Sequence, residues 1–344
     1  MDEIVSWLVK LIDFNTTACG GDARRCADFI GQTLLRRGVT VQTYTTAGGV
    51  RDGHHLVATV PGESPDSVML HAHLDTAEYG LQQAWLFPAD RATLRGGNIC
   101  GRGAIDCKGP SAVWMKLMAD AAEAAPRAYT LKLLISDLEE QGGDDGLGLL
   151  LTQHPEILEG VKLVIGEGGG FPFPFSGKTC FTFQTGEREC ADEAPLAEED
   201  PGWEHIAKVL SMGIEKGYYS EDILSYASQE ASLPGRKLDI RPLYQGMEPY
   251  FRAAAVSDVY SRYGQFFDKA LRAEIPDACL MPVITPGVSD NRWFRKASVP
   301  VIGFFPLDMD NSLQGIHGNN EYISRSSLAL AYRTTSFILK SIKI

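Results

Sequence analysis

Ser67-Val68-Met69-Leu70-His71-Ala72-His73-Leu74-Asp75-Thr76 is the stretch on which the fold turns. A short, nearly continuous apolar run bounded by polar residues reads as a strand buried on both faces. This one ends in a histidine and an aspartate. Two further segments share the design, Leu131-Lys132-Leu133-Leu134-Ile135-Ser136 and Val161-Lys162-Leu163-Val164-Ile165-Gly166. Helical patterns over residues 111–125 and 147–154 separate them, so strands and helices alternate as in an α/β sheet with helices on its faces. Upstream, Ile4, Val5, Trp7, Leu8, Leu11 and Ile12 recur at helical spacing over residues 3–13, and a second amphipathic helix is expected over 23–37, before Gly38. In sheets of this class, functional residues collect at strand ends and in the loops that follow.

At 344 residues the chain exceeds what one core holds, since single cores stop growing near ~250–300 residues. Two domains are therefore expected. The net charge of −12, with no basic stripe, argues against a nucleic-acid partner. The start, Met1-Asp2-Glu3-Ile4-Val5, is acidic where a secretory leader is basic, and no run of about 18 apolar residues suggests a membrane span. Seven cysteines, Cys19, Cys26, Cys100, Cys107, Cys180, Cys190 and Cys279, form no C-x-x-C pair, so neither a disulfide framework nor a thiolate zinc site is expected. These features together point to a cytoplasmic protein.

Residues 171–190 alternate and break the preceding pattern, which places a boundary near residue 180. Beyond it, 191–202 reads as an acidic loop, 203–216 as a helix and 237–243 as a short strand; a helix over about 253–273 and an apolar run over 299–305 then return the chain to the first domain.

Metal binding without cysteine needs His, Asp and Glu projected from rigid elements, and such residues stand at one strand terminus after another. His73 and Asp75 share a face of extended chain, so one can bind a cation while the other orients it. Asp106 lies in Gly101-Arg102-Gly103-Ala104-Ile105-Asp106-Cys107-Lys108-Gly109, where glycines permit a tight loop, and a carboxylate there can bridge two cations. Glu139 and Glu140 are adjacent and diverge, so one can coordinate while the other faces a water. Glu167, among Gly166 and Gly168-Gly169-Gly170, ends another apolar strand, and His317 in Ile316-His317-Gly318-Asn319-Asn320-Glu321 can complete the set.

These motifs, with Gly287-Val288-Ser289-Asp290-Asn291-Arg292, resemble the dinuclear-zinc aminoacylase and carboxypeptidase superfamily, which includes acetylornithine deacetylase, succinyl-diaminopimelate desuccinylase and glutamate carboxypeptidase. The resemblance implies a mixed, mostly parallel central sheet flanked by helices, with a small inserted α+β lid. On this chain the catalytic domain would comprise residues 1–180 and 253–344, and a reduced lid residues 181–252. It implies two divalent cations, zinc or alternatively manganese or cobalt. His73 and Glu167 would hold one cation, Glu140 and His317 the other, and Asp106 would bridge them. Glu139 would be the general base acting on a metal-bridged water, Asp75 would orient His73, and the Asp106–Cys107 peptide would be cis. The implied activity is cleavage of the amide bond of an N-acyl amino acid or short peptide with a free carboxylate. Release of an amino acid from a carrier-protein glutamate and a non-hydrolytic metal-binding homologue are the alternatives. Arg292, Asn291 and Arg241 are the candidates for the substrate carboxylate, with bracing of the loop near Asp290 an equal alternative for Arg292. Monomer and homodimer both stay open.

Blander roles weigh against several residues. A lone carboxylate at a strand end is ordinarily a helix cap or a solvated turn residue; the joint order of five ligands is what argues for metal. His71 reads as a packing or orienting residue, His54 and His55 as a turn before a strand, His154 as a helix end and His205, which no glycine precedes, as an ordinary helix residue. Cys107 lacks a His/Asn partner pattern and reads as a spacer. Residues 166–170 lack the G-x-x-x-x-G-K-[ST] pattern of a phosphate loop.

Overall fold

The computed structural model describes residues 1–175, 177–187, 255–285 and 289–344. Helices α1 (Asp2–Ile12) and α2 (Ala23–Leu35) lead into a hairpin of β1 (Thr40–Thr46) and β2 (Gly53–Val60), then β3 (Ser67–His73). Short strands β4 (Thr93–Arg95) and β5 (Asn98–Cys100) precede α3 (Lys108–Glu123), β6 (Thr130–Ser136), α4 (Leu149–Gln153) and β7 (Val161–Gly166). There follow β8 (Pro172–Phe175), β9 (Lys178–Glu187), α5 (Ala255–Glu274), β10 (Ala278–Thr285), α6 (Asn291–Lys296), β11 (Val301–Gly303), β12 (Tyr322–Ser324) and α7 (Arg325–Ser341).

The main sheet runs β1-β2-β6-β3-β7-β11-β9-β10, with β8 hydrogen-bonded to β9. Its centre is parallel: β6, β3, β7 and β11 point the same way. The hairpin joins β6 antiparallel, and β9 meets β11 antiparallel while β10 runs parallel to β9. This is the expected mixed, mostly parallel sheet.

All seven positions of β3 are buried, and alternate side chains serve opposite layers. Val68, Leu70 and Ala72 pack with α1, α2 and α3, whereas Met69 packs with Leu134, Val164, Leu147 and Phe294 on the other face. Each buried Leu or Val there contributes about 1.5–3 kcal/mol. Registration is fixed by this two-sided burial, because a one-residue slip would exchange the two faces. In register, His73 stands beside Ser136, and Leu70 beside Ile165, so β3, β6 and β7 end on one edge of the sheet.

Several expectations need correction. His54 and His55 lie within β2, not in a turn before it. The helix expected over 147–154 is instead a wide turn at Asp144–Gly148 followed by the short α4. Cys180 and Cys279, register partners on parallel β9 and β10, form a disulfide with a Cα separation of 4.6 Å. They lie 99 positions apart, so no local spacing reveals the pair, and the cysteine tally no longer argues for a reducing compartment. Residues 181–187 belong to the main sheet. The remainder of the expected lid, including the helix at 203–216, the strand at 237–243, His205 and Arg241, lies outside the described residues. No helix among the described residues is long and apolar enough to cross a membrane.

Candidate metal centre

The shared edge of the sheet gathers the side chains. His73, on the last residue of β3, is fully buried. Its Nδ1 lies 3.0 Å from the Asp75 backbone oxygen and 3.4 Å from Asp75 Oδ1. A carbonyl oxygen only accepts, so Nδ1 carries the proton and Nε2 presents a lone pair. That Nε2 lies 3.0 Å from Asp106 Oδ1 and 3.3 Å from Glu167 Oε2. The Asp75 carboxylate also accepts from the backbone N–H groups of Glu139 and Glu140, at 3.2 and 3.0 Å, and thereby ties the end of β3 to the turn after β6. In that turn Leu138 has a φ of 66°, a left-handed conformation uncommon outside glycine, which aims the two glutamates out of the sheet edge.

Asp106 stands at the end of the glycine-containing loop before α3, and its peptide to Cys107 is cis. Its Oδ2 lies 3.1 Å from His317 Nε2, which is in turn 3.0 Å from Glu140 Oε2. Ligand atoms of His73, Asp106, Cys107 and Glu167 therefore form one group, and those of Asp106, Glu140 and His317 another, each within 4.8 Å. Asp106 is common to both. Glu139 faces the same space, with Oε2 3.9 Å from His73 Nε2.

The donor set fits divalent cations. Asp106, Glu140 and Glu167 crowd three carboxylates around two imidazoles, a concentration of negative charge that a cation would neutralise. Glu140 Oε1 and Glu167 Oε1 are buried without a hydrogen-bond partner, although buried polar atoms are nearly always satisfied. Nitrogen and oxygen donors suit zinc, manganese or cobalt. Titration follows the crowding. Burial pushes Glu139 well above the ordinary carboxyl range, and neighbouring Glu167, Asp290 and Asp106 add to it against the pull of His73. Burial would also raise Asp106, but its bonds to His317 and His73 outweigh that and hold it low. Bonds to Asp106 and Glu140 raise His317 to about 10.

Two buried groups that sequence reasoning left unassigned hold the loops in place. Glu321, fully buried, accepts from the N–H groups of Ile105 (2.7 Å), Asp106 (3.1 Å) and Gly103 (2.9 Å), and from Arg102 Nη1 at 3.1 Å. Arg102 also donates to the carbonyls of Gly315 and Gly318. The pair thus clamps the loop of Asp106 to the loop of His317. Both residues lie inside the motifs quoted for their neighbours, Gly-Arg-Gly and Asn-Asn-Glu, and although Arg102 stands out between two glycines, nothing in either motif pairs it with Glu321. Behind β3, Ser136 Oγ donates to Asp290 Oδ2 at 2.6 Å and lies 3.0 Å from His71 Nε2. All three are buried, which suits bracing, and burial lowers His71 to about 3, keeping it neutral.

The expected substrate contacts are placed otherwise. Asn291 is wholly buried, and its Nδ2 donates to the Glu167 carbonyl (2.9 Å) and to Gln184 Oε1 (2.7 Å). Arg292 donates to the Gly142 carbonyl and lies over the Trp293 ring, bracing the Glu139–Gly142 turn. Both support the backbone of ligand-bearing segments because α6 packs beneath the sheet edge, a placement that a linear motif does not disclose.

A family model described as Peptidase family M20/M25/M40 matches residues 69–341. Among curated relatives, the cysteinylglycine-S-conjugate dipeptidase of Corynebacterium striatum is 32% identical over 108 residues, 31% of this chain and 24% of that protein. The succinyl-diaminopimelate desuccinylase of Variovorax paradoxus is 30% identical over 129 residues, 36% of this chain and 33% of that protein. The matched stretches thus span about a quarter to a third of these relatives. Among solved structures, the M20 family metallo-carboxypeptidase Sso-CP2 from Sulfolobus solfataricus superposes with a TM-score of 0.70 at 14% identity, covering 99% of both chains. Human carnosine dipeptidase 1 superposes with a TM-score of 0.65 at 14% identity, covering 98% of this chain and 96% of that one. Both likenesses show a common fold.

Proposed function

The chain belongs to peptidase family M20/M25/M40, and from that premise we propose that it is a metal-dependent amidohydrolase cleaving an N-acyl amino acid or short peptide with a free carboxylate. The dipeptidase and desuccinylase names of its relatives support amide hydrolysis. The observation that carries the reading is Asp106 standing between His73 and Glu167 on one side and Glu140 and His317 on the other. His73 and Glu167 would hold one divalent cation, Glu140 and His317 a second, with Asp106 shared and zinc favoured over manganese or cobalt. Bound there, the cations supply Lewis-acid polarisation of the amide carbonyl and acidify water.

Asp75 keeps the His73 proton on Nδ1 and so fixes which nitrogen faces the cluster. Glu139 shares a group of possible ligand atoms with His73 and Glu140, so it stands close enough to face a water held at the cluster, and its raised proton affinity suits a base that takes a proton from water and returns it to the leaving amine. Arg102, Glu321 and Asn291 hold ligand-bearing backbone.

The test is Glu139→Gln in zinc-loaded protein, assayed on a panel of N-acyl amino acids and dipeptides with metal content measured in parallel. Turnover should fall at least about a hundredfold, the lower end of what a positioned acid–base contributes, while metal content stays close to that of the parent. Undiminished turnover removes the base role. A parent protein that binds metal and hydrolyses nothing on the panel would stand as a metal-binding homologue.

A further inference from the structure

Beside the ligand cluster opens a cavity of about 500 Å³, within the usual range for small-molecule sites. Ile105, Phe171, Val283, Phe305 and Ile316 are among the apolar residues of a largely apolar wall. Its neutral polar residues are already engaged. The Thr182 hydroxyl oxygen accepts from the Phe171 N–H, and Gln184 donates to Thr285 Oγ1 while its carbonyl accepts from Asn291 and Arg295. Among the described residues, the only charged lining groups are Asp106, Glu139, Glu167 and His317, all at the cluster end. No lysine or arginine lines the described wall. Arg295, behind Gln184, is paired with buried Glu187 at 2.6 Å.

We infer that this cavity receives an uncharged, apolar substituent adjoining the scissile amide, such as a branched aliphatic or small aromatic group. The inference rests on the amide-hydrolase reading for the word scissile, but the selectivity itself follows from the wall. A second carboxylate carried into the cavity meets no lysine or arginine among the described lining residues and faces the acidic cluster. An ammonium group would lie among Phe171, Val283 and Phe305, and the carboxylates that line the cavity belong to the ligand cluster, where a bound cation would compete for them. A charge carried to the apolar part of the wall gives up its water, and unpaired buried charge is strongly disfavoured. A methyl-branched or phenyl group instead removes apolar surface from water. A succinyl-type acyl group, as named for one relative, is therefore disfavoured by the described wall.

The discriminating experiment uses ligands that are not hydrolysed. Isovalerate, succinate and 4-aminobutanoate each offer one carboxylate to the cluster and differ in the group extended into the cavity. Calorimetric titration of each into zinc-loaded full-length protein should give isovalerate at least about tenfold tighter than either charged analogue. In Val283→Arg, which places a cation on the wall, the order of isovalerate and succinate should reverse. Equal affinities in the parent, tighter binding of a charged analogue, no binding of any, or an unchanged order in a folded Val283→Arg protein would overturn the inference. Isovalerate selectivity in a protein without amidase turnover would sink the proposed function and leave the cavity assignment standing.

Discussion

Replacing Glu321 by Gln preserves shape and removes charge, which makes it a direct test of the clamp between the two ligand loops. One oxygen of the amide can still accept from Ile105 and Asp106, but its NH₂ would then confront two donors, the Gly103 N–H and Arg102 Nη1. Arg102 is only 3% exposed and would keep three carbonyl partners without a counter-charge. An orphaned buried donor costs about 1–3 kcal/mol, and breaking a buried ion pair by removing one member costs about 3–5 kcal/mol. These overlap, so the expected loss is about 3–5 kcal/mol, a large part of a total stability of roughly 5–15 kcal/mol. Urea denaturation of the metal-free protein reads this loss. Zinc affinity, read by chelator competition, should drop about 10–100-fold, as for other residues that orient ligands. The double variant Glu321→Gln/Arg102→Met should be less destabilised than the sum of the single variants, because the stranded charge is gone. A Glu321→Gln protein within 1 kcal/mol of the parent and with unchanged zinc affinity would refute the reasoning.

Acid sensitivity should trace in part to His55, whose ring accepts from the Asp137 N–H at Nδ1 and sits 2.9 Å from Thr46 Oγ1. Burial lowers its pKa from 6.5 to about 4; the folded state therefore favours the neutral ring, a contribution complete above pH 6.5 and lost as pH falls toward 4, worth about 3 kcal/mol at roughly 1.4 kcal/mol per unit. His55→Gln should flatten the slope of urea stability against pH across that window, and an unaltered slope would count against it. Gly109→Ala should weaken both folding and metal binding, since an added Cβ would stand 2.3 Å from the Ala104 carbonyl oxygen, behind the Asp106 loop; a loss of about 1–3 kcal/mol is expected from such overpacking, and thermal and chelator titrations matching the parent would argue otherwise.

The sheet centre was legible because two-sided burial writes an apolar run directly into the sequence. The spans read for β3 and β7 coincide with those observed, and the candidate ligands His73 and Glu167 stand at their ends. The β1–β2 hairpin was not legible: β1 is an edge strand with most positions exposed or half-buried, and its Thr-rich run lacks an apolar signature. The clamp was invisible for a different reason. Arg102 and Glu321 are 219 positions apart, and no periodicity records a bond at that distance. For Asn291 and Arg292 the motif says which residues are near the centre and not whether a side chain faces the cavity or the backbone behind it, where both make hydrogen bonds.

The ligands descend from the ends of central strands and their loops, whereas Thr182, Gln184, Val283 and Thr285 belong to β9 and β10 at the far margin of the sheet. Part of the cavity wall thus stands on backbone separate from the cation cradle, so substitutions along that margin would reshape the wall without touching the strands that carry the ligands.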